Sequence, residues 1–124
     1  MCNRHNKKYY PKYKKWCDEY FYLPHRKESR GIGGIFFDYK KNNFEKDFKF
    51  VRDVGITFQV IFQKIIRKKM KKKWTTKDKE MQYIKRGRYA EFNLLYDRGT
   101  KFGLSTGGNT KAILMSLPPL AKWE

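Results

Sequence analysis

The sequence predicts an α+β fold with an antiparallel sheet, and three patterns carry that expectation. Apolar residues recur at helical spacing through the earlier part of the chain. Turn-forming residues cluster near its end, and the segments between those turns alternate in polarity. Helices first and hairpin-linked strands later is the order expected of α+β proteins.

Residues 9–22 form the first predicted helix. Pro11 suits its first turn, where the missing N–H has no intrahelical partner. Tyr9, Tyr13, Trp16, Cys17 and Tyr20 recur on one side. Pro24 closes the helix, because the residue before a proline resists the α conformation. Residues 30–38, RGIGGIFFD, read as a buried strand whose glycines allow close backbone approach. A long amphipathic helix follows, marked by Phe44, Phe48, Val51, Val54, Phe58, Ile61, Phe62 and Ile65, and runs into the basic stretch 67–73.

The next helix starts at Thr75, an N-cap with Asp78 three residues on, and Gly87 is its expected stop. Residues 88–96, RYAEFNLLY, read as a strand. Asp97-Arg98-Gly99-Thr100 has hairpin-turn composition, with 101–105 as the return strand. The turn Gly107-Gly108-Asn109 leads to a last strand, 112–117, closed by Pro118 and Pro119.

A chain of 124 residues is one domain or a piece of one. Hydrophobic residues make up 40% and aromatics 18%, enough to exclude a disordered basic tail. No apolar run is long enough to span a bilayer, and Met1-Cys2-Asn3-Arg4-His5 lacks the apolar stretch of a signal peptide. A cytoplasmic location is expected. Cys2 and Cys17 have the spacing of neither a zinc site nor a redox pair, and two free thiols are expected. No CxxxCxxC cluster is present to hold an iron–sulfur centre.

Thirty Lys and Arg against 12 Asp and Glu give a net charge of +18, which attracts anions at long range. Nucleic acid, a membrane surface or a polycarboxylate substrate all satisfy that charge. Lys, Asn, Ile, Tyr and Phe are abundant together, as in proteins of A/T-rich genomes, so charge alone names no partner.

Read as a strand, 91–97 puts Glu91, Asn93, Leu95 and Asp97 on one face and Phe92, Leu94 and Tyr96 on the other. A cleft wall fits that pattern, and so does a solvated sheet face. Arg98 can grip a carboxylate in bidentate fashion, or simply pair with Asp97 at an exposed turn. His5 lies in a polar, fraying terminus and reads as a surface residue. His25 follows a helix end in LPHRKESRGIGG, and a lone histidine is thin ground for a metal or acid–base role.

The string GIGG is not GxGxxG and opens no helix, which argues against dinucleotide binding. Gly107 and Gly108 can offer backbone N–H groups to a carboxylate or merely turn the chain. The cluster RKKMKKK can bind phosphates, or it is a solvated helix end.

Four strings go beyond composition: YPKYKKWCDEYFYLPHR (10–26), RGIGGIFFD (30–38), RGRYAEFNLLYDRGTKFGL (86–104) and ILMSLPP (113–119). In order and spacing they resemble the oxygen-dependent coproporphyrinogen oxidases, the bacterial members most closely, over nearly the whole chain. The resemblance implies a large antiparallel sheet flanked by helices, with 1–124 a single incomplete domain from the C-terminal half and 89–124 a dimerisation segment. It implies oxidative decarboxylation of two propionates of coproporphyrinogen III to vinyl groups. Molecular oxygen is the implied co-substrate, without an organic cofactor, and some members carry a divalent metal such as manganese.

Residue by residue, His25 matches a metal-binding histidine of the family. Asp97 and Arg98 match its catalytic and substrate-binding Asp-Arg pair, with Asp97 taking the pyrrole N–H proton and Arg98 anchoring a propionate. Gly107, Gly108 and Asn109 match a substrate-contacting turn. Three departures stand out: Asn109 replaces an arginine, Tyr39 stands where an acidic residue usually follows FFD, and HRKES interrupts an HRGE-like run.

The family's N-terminal half has no counterpart, so activity of the chain alone is in question. Its expected partner is a second copy or a complementing N-terminal half, with no specific nucleic acid and no transmembrane segment. The alternative is a non-catalytic basic module that dimerises, complements that half, or binds nucleic acid non-specifically.

Overall fold

Helix accounts for 61% of the chain in the computed structural model, which describes residues 1–123. In order these helices are α1 (Cys2–His5), α2 (Tyr9–Tyr20), α3 (Phe44–Lys69), α4 (Thr76–Leu95), α5 (Arg98–Ser105) and α6 (Thr110–Leu114). The only strands among the described residues are β1 (Tyr22–Leu23) and β2 (Glu28–Ser29), a short antiparallel hairpin lying between α2 and α3 in the sequence. The expected large antiparallel sheet flanked by helices is therefore wrong for this chain.

The reason is visible segment by segment. Residues 30–38 join no ladder; Ile32 is fully exposed, and the Phe36 N–H donates to the Tyr13 carbonyl at 3.1 Å. A strand exists only against a partner edge, and its alternation says nothing about whether one is present. Residues 88–95 continue α4, because Arg, Ala, Glu and Leu are strong helix formers and the capping box at Thr75 and Asp78 launches the helix as read.

Gly87 does not stop α4. It sits buried in mid-helix, where a Cβ would lie 2.4 Å from the carbonyl oxygen of Lys122. That close approach lets the Lys122 N–H donate to the Tyr83 carbonyl at 3.1 Å. The expected turn at 97–100 is a helix start instead. Asp97 caps α5 by accepting from the Thr100 N–H at 2.7 Å, since the same Asp-and-Thr chemistry serves a turn or an N-cap.

The return strand 101–105 lies within α5, and the last expected strand is largely replaced by α6, which Asn109 caps. The turn between them occurs as expected, with Gly107 at φ 72°. Gly108 packs so closely on the Gly103 carbonyl that a side chain there would clash at 2.8 Å.

The chain divides into two compact units, Met1–Tyr20 with Gly33–Lys73 and Phe21–Ile32 with Trp74–Glu124. The first is built on an aromatic cluster in which Phe50 of α3 is fully buried among Tyr9, Tyr13 and Phe37. Cys2 and Cys17 are buried free thiols. His5 is not a fraying surface residue: its Nε2 lies 2.8 Å from Asp53 and its ring meets Phe50 edge-on.

Much of the rest of helix α3 faces outward. Phe44, Phe48, Val51, Phe58, Phe62 and Ile65 are all exposed. They recur in alternating three-, four- and seven-residue steps and so form one apolar stripe. No helix among the described residues is long and apolar enough to cross a membrane.

Candidate functional site

The second unit contains a polar corner where the β1–β2 hairpin meets the end of α4. The hairpin turn holds Lys27 in the left-handed region at φ 53°, and the Arg26 N–H donates to the Leu23 carbonyl at 3.1 Å. This presents His25 and Arg26 toward Glu91. Arg26 grips that carboxylate with two parallel bonds, Nε to Oε2 at 3.0 Å and Nη2 to Oε1 at 2.6 Å. His25 Nε2 lies 2.8 Å from Glu91 Oε2, and its Nδ1 lies 2.8 Å from the Tyr96 hydroxyl.

Only 11% of the Glu91 side chain is exposed. The Arg26 bonds hold its carboxyl down at about 2 against the opposing effect of burial, with His25 assisting. Around this centre the charges alternate. Arg88, 6% exposed, pairs through Nε with Glu28, whose other oxygen takes a 2.8 Å bond from Lys85. Those two partners, Lys85 foremost, lower the Glu28 pKa. The Arg30 guanidinium lies over the rings of Phe21 and Tyr89, at 4.3 and 4.7 Å from their centroids.

Asp97 and Arg98 follow directly. Tyr96 closes α4, its N–H donating to the Phe92 carbonyl at 2.8 Å, and the Asp97 N–H reaches the same carbonyl at 3.0 Å. Asp97 is half-buried as the N-cap of α5, and Arg98 is the exposed first residue of that helix. Gly107, Gly108 and Asn109 are exposed at the other end of α5, about 12 Å away at 1.5 Å per helical residue. Their backbone is already committed in part: the Gly108 N–H donates to Gly103, and the Asn109 side chain accepts from the Ala112 N–H at 3.3 Å.

Sequence reading picked out His25, Glu91, Asp97 and Arg98 but missed Arg26, Glu28, Arg88 and Tyr96. A helical reading of 88–96 would have put Arg88, Glu91, Phe92 and Tyr96 on one face. The neighbours HRKE carry the opposite charges.

A divalent metal does not fit these residues. Both ring nitrogens of His25 have hydrogen-bond partners, and no group of three His, Cys, Asp or Glu among the described residues could hold an ion.

The molecule is thus a strongly cationic, mainly helical chain whose corner carboxylates are held ionised by guanidinium and ammonium groups. The family model described as coproporphyrinogen III oxidase matches residues 1–124. The chain is 61% identical over 125 residues to the oxygen-dependent coproporphyrinogen-III oxidase of Rickettsia rickettsii (strain Sheila Smith), covering 100% of this chain and 45% of that protein. It is 61% identical over 123 residues to that of Rickettsia bellii (strain OSU 85-389), covering 98% and 44%. The match to the Rickettsia akari (strain Hartford) protein is 60% over 124 residues. The chain belongs to the coproporphyrinogen III oxidase family, and it spans less than half the length of these curated relatives.

Proposed function

We propose that the chain is part of an oxygen-dependent coproporphyrinogen III oxidase of haem biosynthesis. That enzyme converts two propionates of coproporphyrinogen III to vinyl groups, giving protoporphyrinogen IX. The observation that carries this reading is identity of about three residues in five along essentially the whole chain to relatives bearing that name. For each vinyl group formed, carbon dioxide leaves, a β-hydrogen is lost, and molecular oxygen accepts the two electrons. Neither an organic cofactor nor a metal enters the steps assigned to this chain.

In this reading Asp97, oriented by its bond from the Thr100 N–H, receives the pyrrole N–H proton. Arg98, exposed beside it, anchors a propionate. The turn Gly107-Gly108-Asn109 contacts substrate, with Asn109 supplying a neutral amide rather than a cation. The net charge of +18 favours capture of a polyanionic tetrapyrrole without a specific nucleic-acid partner. The work is cytoplasmic.

The exposed α3 stripe supports a complementing polypeptide or a second copy as partner, because an apolar face of that extent is usually covered in a working assembly. Residues 89–124 are the proposed dimerisation segment. A non-catalytic complementing or dimerising module is the second reading, favoured by the same stripe.

Oxygen-dependent turnover of coproporphyrinogen III, read as product fluorescence after oxidation to the porphyrin, tests both. Turnover is expected when the chain is mixed with the N-terminal half of a related enzyme. Asp97→Asn should then lower it about 100-fold, the scale of a lost general base. Turnover unchanged in Asp97→Asn would remove that role. No turnover in the mixture, with the chain folded, would leave the module.

A further inference from the structure

We infer that His25 is a positioning residue locked in one tautomer, with its Nε2–H on Glu91 and the Tyr96 hydroxyl on Nδ1, rather than a metal ligand. The catalytic meaning of this strut rests on the proposed role of Asp97 and Arg98.

Glu91 fixes the tautomer. Arg26 occupies it with two bonds and keeps it ionised, and an ionised carboxylate only accepts. The short contact from His25 Nε2 to Glu91 Oε2 therefore carries its hydrogen on the imidazole. In the neutral ring this leaves Nδ1 a lone pair, and the Tyr96 hydroxyl, 2.8 Å away, donates to it. In the imidazolium form Nδ1 donates to the same oxygen. Neither state leaves a nitrogen lone pair for a cation. A metal at His25 would have to displace Tyr96 or break the Glu91 contact, and no group of three His, Cys, Asp or Glu that could hold an ion occurs among the described residues.

What the strut positions follows from chain order. Tyr96 is the C-cap of α4, and Asp97 is the N-cap of α5. Two helices thus meet at one peptide bond, and the direction of the turn between them decides where Asp97 and Arg98 point. The Tyr96 ring is held at its hydroxyl by His25 and stacks on the imidazole at a centroid distance of 5.6 Å and 28° between planes. His25 is in turn held by Glu91, one and a half helical turns back on the same helix. The triangle Glu91–His25–Tyr96 braces the end of α4 from outside its own backbone.

The test reads the strut without turnover, so its failure and the failure of the enzymatic reading are separable. Nitrogen-15 imidazole spectra of the 124-residue chain should show His25 as one tautomer, protonated at Nε2. In Tyr96→Phe the Nδ1 resonance should shift while Nε2 stays protonated. Manganese(II) should not selectively broaden His25.

Amide exchange at Asp97, Arg98 and Thr100 should quicken about tenfold in His25→Ala, the loss of one hydrogen-bonded brace. It should stay within about twofold in His25→Gln, which keeps a donor toward Glu91. Mixed tautomers, stoichiometric manganese(II) binding lost in His25→Ala, or exchange at the corner indifferent to His25→Ala would each overturn the proposal.

Discussion

Helices α3 and α4 are the two long helices of the chain, and they treat their inward faces in opposite ways. Helix α4 buries charge and a glycine. Arg88 is paired with Glu28, Glu91 is bound by Arg26 and His25, and Gly87 lies under the Lys122 carbonyl. Helix α3 buries one ring completely, Phe50, and leaves a stripe of phenylalanines and branched aliphatics in water. Polar groups need partners at fixed distances, so α4 is specified by neighbours within its own unit. Apolar surface accepts any dry partner, so α3 retains burial still to be gained.

The contrast can be broken at Phe50 first. Phe50→Ala should destabilise the chain by about 4 kcal/mol, the usual cost of emptying a fully buried aromatic site. Urea unfolding would measure it. If Phe58→Ser on the outer stripe costs as much, α3 has no exposed face and the comparison fails. We expect that change to stay within about 0.5 kcal/mol while lowering any self-association seen by light scattering.

On the α4 side, Glu91→Ala should cost about 3 kcal/mol, because it removes the part-buried carboxylate that Arg26 grips with two bonds. Gly87→Ala should cost about 2 kcal/mol by pushing away the segment at Lys122. Its signature would be faster exchange of the Lys122 amide.

The same carboxylate also gives a pH dependence. Glu91 titrates at about 2 in the folded chain against an ordinary 4.5, so the unfolded chain takes up its proton first as pH falls. Its stabilisation is fully present above 4.5 and is lost as pH drops toward 2. Thermal unfolding followed across that window should decline less steeply in Glu91→Gln. An equal slope would mean that Glu91 is not the group responsible.

Much of the helical architecture was legible. The start of α2, the extent of α3 and the capping box at Thr75 each follow from side chains within a few residues of one another. The strand readings failed because RYAEFNLLY alternates as well as it turns, and only its continuity with α4 decides between the two. In the corner, Asp97, Arg98 and His25 were found through family resemblance, and Glu91 through its place in an alternating run. Arg26 was not found, because its partner lies 65 residues away in the chain.

What the sequence alone determined was local: helix starts, helical periodicity, a glycine-rich turn, and a strong positive charge. Tertiary structure decided whether an extended segment became a strand, whether Gly87 ended a helix or admitted a neighbour, and which cation held Glu91. The physical reason is range. Caps and periodicity are settled within one or two helical turns, whereas ladders, close approaches and ion pairs depend on where distant segments meet.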